Sequence, residues 1–223
     1  MMNGGVKLTP GDRLLFIGDS VTDCGRLRPV GRGSPYALGT GYVAQVNAWL
    51  EPFQKGRPIQ IVNMGTDGNT VRDLARRWDT DVLALEPDWL SVMIGINDVW
   101  RQFDGAAADS AVRLDEFWDT YSDLLSHTRP LLKGLVLMTP YFVQSDRRDP
   151  MRVMMDEYGR AVRDLAARHD ALLVDTQAAI DRVLERSDYK AIAIDRVHPT
   201  AMGHEILAYA FIRAVGITPR RRR

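Results

Sequence analysis

Leu14-Leu15-Phe16-Ile17-Gly18-Asp19-Ser20, near the start of the chain, places a short apolar run directly before a glycine, a carboxylate and a hydroxyl. Four further apolar runs of similar length follow, at 59–62, 90–94, 135–138 and 171–174. Short apolar runs bounded by turn residues are typical of strands buried on both faces. The sequence therefore predicts five buried strands, the first of which ends at Ser20.

Longer amphipathic stretches separate these runs. Apolar side chains recur at helical spacing from Tyr42 to Phe53, over 114–125, over 151–165 and over 201–215. Alternating strands and helices favour a parallel sheet with helices on both faces. We therefore predict a flavodoxin-like three-layer α/β/α sandwich whose five parallel strands have the order 2-1-3-4-5, with surface loops at 144–150 and 187–195. Ligands of such folds bind at the carboxyl ends of the strands, here between strands 1 and 3.

Length and composition indicate one globular domain. The chain has 223 residues, of which 45% are hydrophobic and 26% are charged, which is enough for one sizeable core and too little for two domains. We expect the domain to span residues 1–219. The four arginines at 220–223 are expected to form a solvated tail without a role.

Charge and cysteine content exclude several classes of partner. Lys+Arg and Asp+Glu both number 29, so no excess of positive charge is available for a nucleic acid backbone. No apolar run reaches the roughly 18 residues of a membrane-spanning helix. Cys24 is the only cysteine, and residues 1–13 lack an apolar stretch resembling a signal peptide. These features predict a protein of the cytoplasm.

Ser20 is the candidate nucleophile, because the first strand delivers its hydroxyl to the predicted ligand edge; the alternative is a helix-capping serine. A serine nucleophile needs a base. Asp195 precedes His198 by three residues, a spacing that brings a carboxylate to the imidazole Nδ1, and Pro199 then begins the entry to the last helix. The other histidines, His127, His169 and His204, are expected to be structural or solvated.

Acyl transfer also needs donors for the developing oxyanion. Gly65 ends strand 2, where the missing Cβ would let a substrate approach the backbone N–H. Asn97 follows strand 3 and offers a side-chain amide. In a 2-1-3 order both residues flank Ser20. Each alone is explained equally well as a turn residue, but together with His198 they predict one site. No metal or organic cofactor is expected.

These residues resemble the SGNH subgroup of the GDSL esterases and lipases, whose four signature residues match Ser20, Gly65, Asn97 and His198. The resemblance covers the whole domain and implies that Asp195 is the acid of the triad. It also implies an oxyanion hole formed by the backbone N–H groups of Ser20 and Gly65 and by the Asn97 amide. Further similarity to bacterial intracellular acetylxylan esterases lies in four segments: Asp23-Cys24-Gly25-Arg26, Gly39-Thr40-Gly41-Tyr42, Gly95-Ile96-Asn97-Asp98-Val99-Trp100-Arg101 and Met138-Thr139-Pro140-Tyr141. Ile194 departs from the pattern, since those relatives carry an aromatic residue directly before the triad aspartate. The departure bears on pocket shape and subunit contacts.

The resemblance implies a serine esterase that removes acetyl groups from acetylated xylan or xylo-oligosaccharides through an acetyl-enzyme, and that assembles as a homo-oligomer. Asp19 and Asp98 are expected at the edge of the site, with Asp19 among the substrate contacts. Trp100, Tyr141 and Tyr189 are further substrate-binding candidates, which would stack on a sugar.

Two other hypotheses stay open at this point. One is the same chemistry on a different short acyl ester or thioester. The other is a binding module without catalysis, whose loops at 18–20 and 65–70 would hold an anion. The second hypothesis gives no role to Asp195 or His198.

Overall fold

The computed structural model describes residues 8–29, 37–51, 56–105 and 110–216. Phe53, the arginines at 220–223 and both ends of the predicted domain lie outside these ranges. Within the described chain, no helix has the length and apolar character needed to cross a membrane.

Five strands form one parallel sheet. They are β1 (Arg13–Gly18), β2 (Gln60–Gly65), β3 (Trp89–Met93), β4 (Gly134–Met138) and β5 (Leu172–Val174). Their order is β2-β1-β3-β4-β5 and every neighbouring pair is parallel, which confirms the predicted fold. Gly18 is in register with both Gly65 and Met93, so β2, β1 and β3 end together at the carboxyl edge of the sheet.

Nine α-helices are described. They are α1 (Ser20–Asp23), α2 (Tyr42–Leu50), α3 (Val71–Asp81), α4 (Ile96–Trp100), α5 (Leu114–Thr128), α6 (Pro150–Arg168), α7 (Thr176–Leu184), α8 (Tyr189–Ile192) and α9 (Ala201–Ala214). The predicted amphipathic stretches correspond to α2, α5, α6 and α9. The predicted loop at 187–195 is wrong in part, because α8 lies within it and begins at the capping carboxylate of Asp188, which accepts from the Lys190 N–H.

The core has two parts, one on each face of the sheet. Leu15 and Ile17 of β1 point into a cluster with α3, α5 and α6. Leu14 and Phe16 of the same strand point into a second cluster with α2 and α9. All four side chains have no exposed surface. Burial of both faces explains why β1 is an unbroken apolar run.

Gly134 gives a test of this packing. The Trp89 indole lies against Gly134, and a Cβ there would overlap the ring. We expect Gly134→Ala to lower the free energy of unfolding by about 1–3 kcal/mol, as overpacking does. Gly159→Ala in α6 is the matched control, because its Cβ would meet only the flexible end of Arg163 at 3.4 Å. That change should raise stability by about 0.5–1 kcal/mol. Urea denaturation measures both; equal effects would contradict the packing.

Candidate active site

Ser20 begins α1 directly after β1. The side chain of Asp19 caps this helix by accepting the Val21 N–H at 3.0 Å. The Ser20 N–H lies at the first helical position, where no carbonyl of the helix can accept it, and it has no partner within the described residues. The junction of β1 and α1 therefore presents a hydroxyl and a free N–H together.

His198 reaches the same hydroxyl from the far end of the chain. Its Nε2 lies 3.1 Å from Ser20 Oγ. The loop that carries His198 is held by an isolated antiparallel β-bridge between Ala193 and Pro199. The Tyr141 hydroxyl also holds it by donating to the Val197 carbonyl at 2.8 Å. The imidazole is thus placed by a fixed loop between α8 and α9.

Asp195 orients the imidazole. Its Oδ2 lies 2.6 Å from His198 Nδ1, and its Oδ1 accepts the backbone N–H groups of Val197 and His198 at 3.0 and 2.8 Å. Burial raises the pKa of Asp195, but the hydrogen bonds from His198 and Val197 outweigh burial and hold this pKa below its usual value. The carboxylate therefore accepts the Nδ1 proton, which leaves the Nε2 lone pair facing the Ser20 hydroxyl.

Asn97 supplies an amide donor after β3. Gly95 makes the turn into α4 with a φ of 130°, a conformation that favours glycine. The Asn97 amide nitrogen donates one hydrogen to the Asn69 carbonyl at 2.9 Å. Its second hydrogen has no partner among the described residues and can meet an oxyanion.

The Gly65 N–H is not available as an oxyanion donor, contrary to the prediction. Its N–H is buried and donates to Asn63 Oδ1 at 2.9 Å. A Cβ at Gly65 would collide with the backbone of α1, where it would lie 2.6 Å from the Thr22 carbonyl carbon. The missing Cβ therefore admits a neighbouring helix, and the predicted approach of substrate to the Gly65 N–H is wrong.

Gly68 is a further candidate donor, which the sequence analysis did not name. It lies between β2 and α3 with a φ of +72°, next to the Asn69 carbonyl that the Asn97 amide holds. Its N–H has no partner among the described residues. The segment also lies against α1, because the Asp67 N–H donates to Asp23 Oδ2 at 3.3 Å. A signal was present, since this glycine belongs to the loop considered for anion binding.

Asp19 and Asp98 lie beneath the site and are closed to a substrate. Their exposed fractions are 1% and 0%, which corrects the placement of Asp19 among the substrate contacts. Burial raises the pKa of each carboxyl to about 7. Each accepts a hydrogen bond from a helix N-terminus, Asp19 from Val21 and Asp98 from Val71 at 3.0 Å.

Of the three aromatic candidates, only Trp100 is open beside the catalytic histidine. The Trp100 ring is 39% exposed and its centroid lies 6.2 Å from that of His198. Tyr141 is buried and its hydroxyl is used by Val197, so its prediction as a sugar platform is wrong. The Arg196 guanidinium lies over the Tyr189 ring at 3.9 Å from the centroid, and Tyr189 also packs against the core cluster that contains α2 and α9.

The remaining histidines have structural surroundings, as predicted. His204 Nδ1 accepts the Tyr42 N–H at 3.1 Å, and burial lowers its pKa to about 4. His169 is buried at the end of α6. His127 Nδ1 lies 2.7 Å from the Asp123 carbonyl one turn earlier in α5.

Ile194, directly before Asp195, is 73% exposed.

A Ser-His-Asp constellation at the carboxyl edge of a parallel sheet, beside free N–H donors, defines a serine hydrolase. Residues 16–206 match the GDSL-like lipase/acylhydrolase family, and the chain belongs to it. It is a serine carboxylic-ester hydrolase.

Solved and characterised relatives agree with this assignment. An acetylxylan esterase from Geobacillus stearothermophilus is 52% identical over 95% of this chain and 97% of its own. The crystal structure of that esterase, Axe2, covers 97% of this chain and 100% of its own with a TM-score of 0.92. A serine-to-alanine catalytic mutant of it superposes with a TM-score of 0.93 at 51% identity, again over 97% of this chain and 100% of its own. LAE5, an alpha/beta hydrolase from the metagenome of Lake Arreo, is 47% identical over 94% of this chain and 97% of its own, with a TM-score of 0.91.

The free Asn97 hydrogen predicts a kinetic effect. We expect Asn97→Ala to lower kcat by about a hundredfold or more, as loss of one oxyanion donor does, with a smaller change in KM. Initial rates with p-nitrophenyl acetate measure both constants. Near-normal turnover by this variant would remove Asn97 from the site.

Proposed function

We propose that this esterase removes acetyl groups from acetylated xylan or xylo-oligosaccharides, with Ser20, His198 and Asp195 as its catalytic triad. The contact of 3.1 Å between Ser20 Oγ and His198 Nε2 carries the assignment of the triad. The name of the Geobacillus relative supports the substrate. A binding module without catalysis would leave Asp195 and His198 without a role, whereas both are engaged with Ser20.

The first half of the reaction forms an acetyl-enzyme. Ser20 Oγ attacks the acetyl carbonyl carbon while His198 Nε2 takes the hydroxyl proton, and the Asp195 carboxylate stabilises the resulting imidazolium. The carbonyl oxygen becomes an oxyanion. The Ser20 N–H, the Gly68 N–H and the free hydrogen of the Asn97 amide are the donors that receive it.

Collapse of this intermediate breaks the bond between the carbonyl carbon and the sugar oxygen. That oxygen leaves as a hydroxyl after taking the proton from His198. Water then attacks the acetyl-enzyme while His198 again accepts a proton, and acetate departs as Ser20 recovers its hydrogen. All atoms and protons that are exchanged during the cycle come from the protein, the ester and water.

A homo-oligomeric assembly and a cytoplasmic location, both expected from the sequence, remain proposals. Association of copies is supported by two exposed apolar side chains that line one surface cavity, Leu173 on the edge strand β5 at 37% and Tyr209 on α9 at 43% exposure. Burial of such exposed apolar surface against a second copy of the chain is favourable. The proposed cytoplasmic location is supported by the presence of a single cysteine in the sequence.

The proposed function is tested by acetate release. The purified protein should hydrolyse acetylated xylo-oligosaccharides, with release of acetate, faster than it hydrolyses long-chain acyl esters or acyl thioesters. Ser20→Ala should reduce all of these rates to background, because the attacking oxygen is gone. Ser126→Ala, whose hydroxyl bonds to the Ser122 carbonyl in α5, should keep the wild-type rate. A preference for thioesters would contradict the substrate, and full activity of Ser20→Ala would contradict the nucleophile.

Trp100 provides a separate test of sugar binding. We expect Trp100→Ala to raise KM for acetylated xylo-oligosaccharides by about tenfold, since loss of one stacking contact costs about 1 kcal/mol or more. KM for p-nitrophenyl acetate, which has no sugar, should change little. Phe103→Ala is the control, because this side chain is also exposed, at 44%. Equal effects on the two substrates would show that Trp100 has no role in sugar binding.

A further inference from the structure

Two consecutive side chains of α4 hold the segment between β2 and α3. The Asn97 amide donates to the Asn69 carbonyl at 2.9 Å, and Asp98 Oδ1 accepts the Val71 N–H at 3.0 Å. These contacts lie on either side of Thr70, which caps α3. The helix that carries the Asn97 donor is therefore fastened at two points to the segment that carries the Gly68 donor.

The contact between Asp98 and Val71 has no substitute nearby. Val71 is the first residue of α3, so no carbonyl of its own helix can accept its N–H. Both Val71 and Asp98 have no exposed surface, so water cannot replace the carboxyl oxygen without opening the structure. A buried donor without an acceptor is unfavourable. Loss of Asp98 Oδ1 would thus drive α4 and the start of α3 apart.

The surroundings of Asp98 do not suit a charge. Its Oδ2 has no partner within the described residues. The charged or titratable groups that face Asp98 are Arg101 on its own helix, Asp19 before α1, Arg72 on α3 and Tyr158 on α6. None of these four forms a described ion pair or hydrogen bond with its side chain. A buried carboxylate without a positively charged partner is strongly disfavoured. Burial accordingly raises the pKa of Asp98 to about 7.

We propose that Asp98 is a positioning residue, which in its uncharged form fixes α4 against the start of α3 and so aims the Asn97 amide at the reacting carbonyl. This inference rests on the proposed function. A neutral side chain also suits the reaction, because a negative charge beside Asn97 would oppose the oxyanion that the amide receives.

Two substitutions separate the acceptor from the charge. Asp98→Ala removes the acceptor for the Val71 N–H, and we expect kcat to fall by about tenfold or more with KM for p-nitrophenyl acetate within about twofold, since small misplacement of a donor acts on the transition state. Asp98→Asn keeps a carbonyl oxygen at the Oδ1 position and cannot ionise. Its kcat should stay within about threefold of wild type.

Asp149→Ala is the matched control for stability. The Asp149 carboxylate caps α6 by accepting the Arg152 N–H at 3.0 Å, so this change also removes one acceptor at a helix N-terminus. We expect it to lower Tm without lowering kcat. If Asp98→Ala lowers kcat no more than Asp149→Ala does, Asp98 has only a structural role and the proposal is wrong.

The pH dependence of Tm tests the uncharged state and does not require Asp98→Ala to fold. The ordinary pKa of an aspartate side chain is 3.8, whereas the pKa of Asp98 in the native protein is about 7. Between these values native Asp98 holds a proton that the unfolded chain has released, so the contribution of Asp98 to stability should fall as pH rises through this window. Asp98→Asn lacks this loss, and its Tm should rise relative to wild type from about pH 4.5 to about pH 7.5.

A Tm difference between Asp98→Asn and wild type that does not change with pH would contradict the uncharged state of Asp98. A kcat of Asp98→Asn as low as that of Asp98→Ala would contradict the role of Asp98 as acceptor of the Val71 N–H. Failure of the proposed function would look different, because the wild-type protein itself would then release no acetate.

Discussion

The hydrogen bond between Ser20 Oγ and His198 Nε2 joins residues 178 positions apart in the chain, and the architecture is organised around it. One partner is fixed because β1 lies in the middle of the sheet and ends at a helix cap. The other is fixed because the loop after α8 is bridged at Ala193 and Pro199 and tied to Tyr141. Neither loop needs to move for the hydroxyl and the imidazole to meet.

Three aspartates at this edge show how surroundings select the charge of one residue type. Asp195 is about half exposed and receives three hydrogen bonds, from the ring and backbone of His198 and from the Val197 N–H, so it is ionised and stabilises an imidazolium. Asp19 and Asp98 are fully enclosed and each receives one N–H from another residue. Burial raises the pKa of both to about 7, so near neutral pH a smaller fraction of each is ionised than of Asp195.

The strands and the pair of Asp195 and His198 could be predicted because each depends on local pattern: apolar runs give β1 to β5, and a spacing of three gives the pair. The strand order and the placement of Ser20 near His198 followed from the general topology of alternating strands and helices. Helix α3 was missed because only Val71, Leu74 and Trp78 are buried in it, too few for a clear stripe. Gly65 and Gly68 could not be told apart, since a missing Cβ serves a packed helix as well as a substrate. Tyr141 looked like a sugar platform because sequence does not show that its ring is buried.

The central claim is that Ser20 becomes acetylated during turnover. Rapid acid quench of the wild-type enzyme with an acetylated xylo-oligosaccharide, followed by peptide mapping by mass spectrometry, measures this directly. We expect one acetyl group on the peptide that contains Ser20, and none on that peptide in His198→Ala. Turnover without acetyl on Ser20, or an acetyl group on another side chain that accumulates and decays at the catalytic rate, would contradict the account.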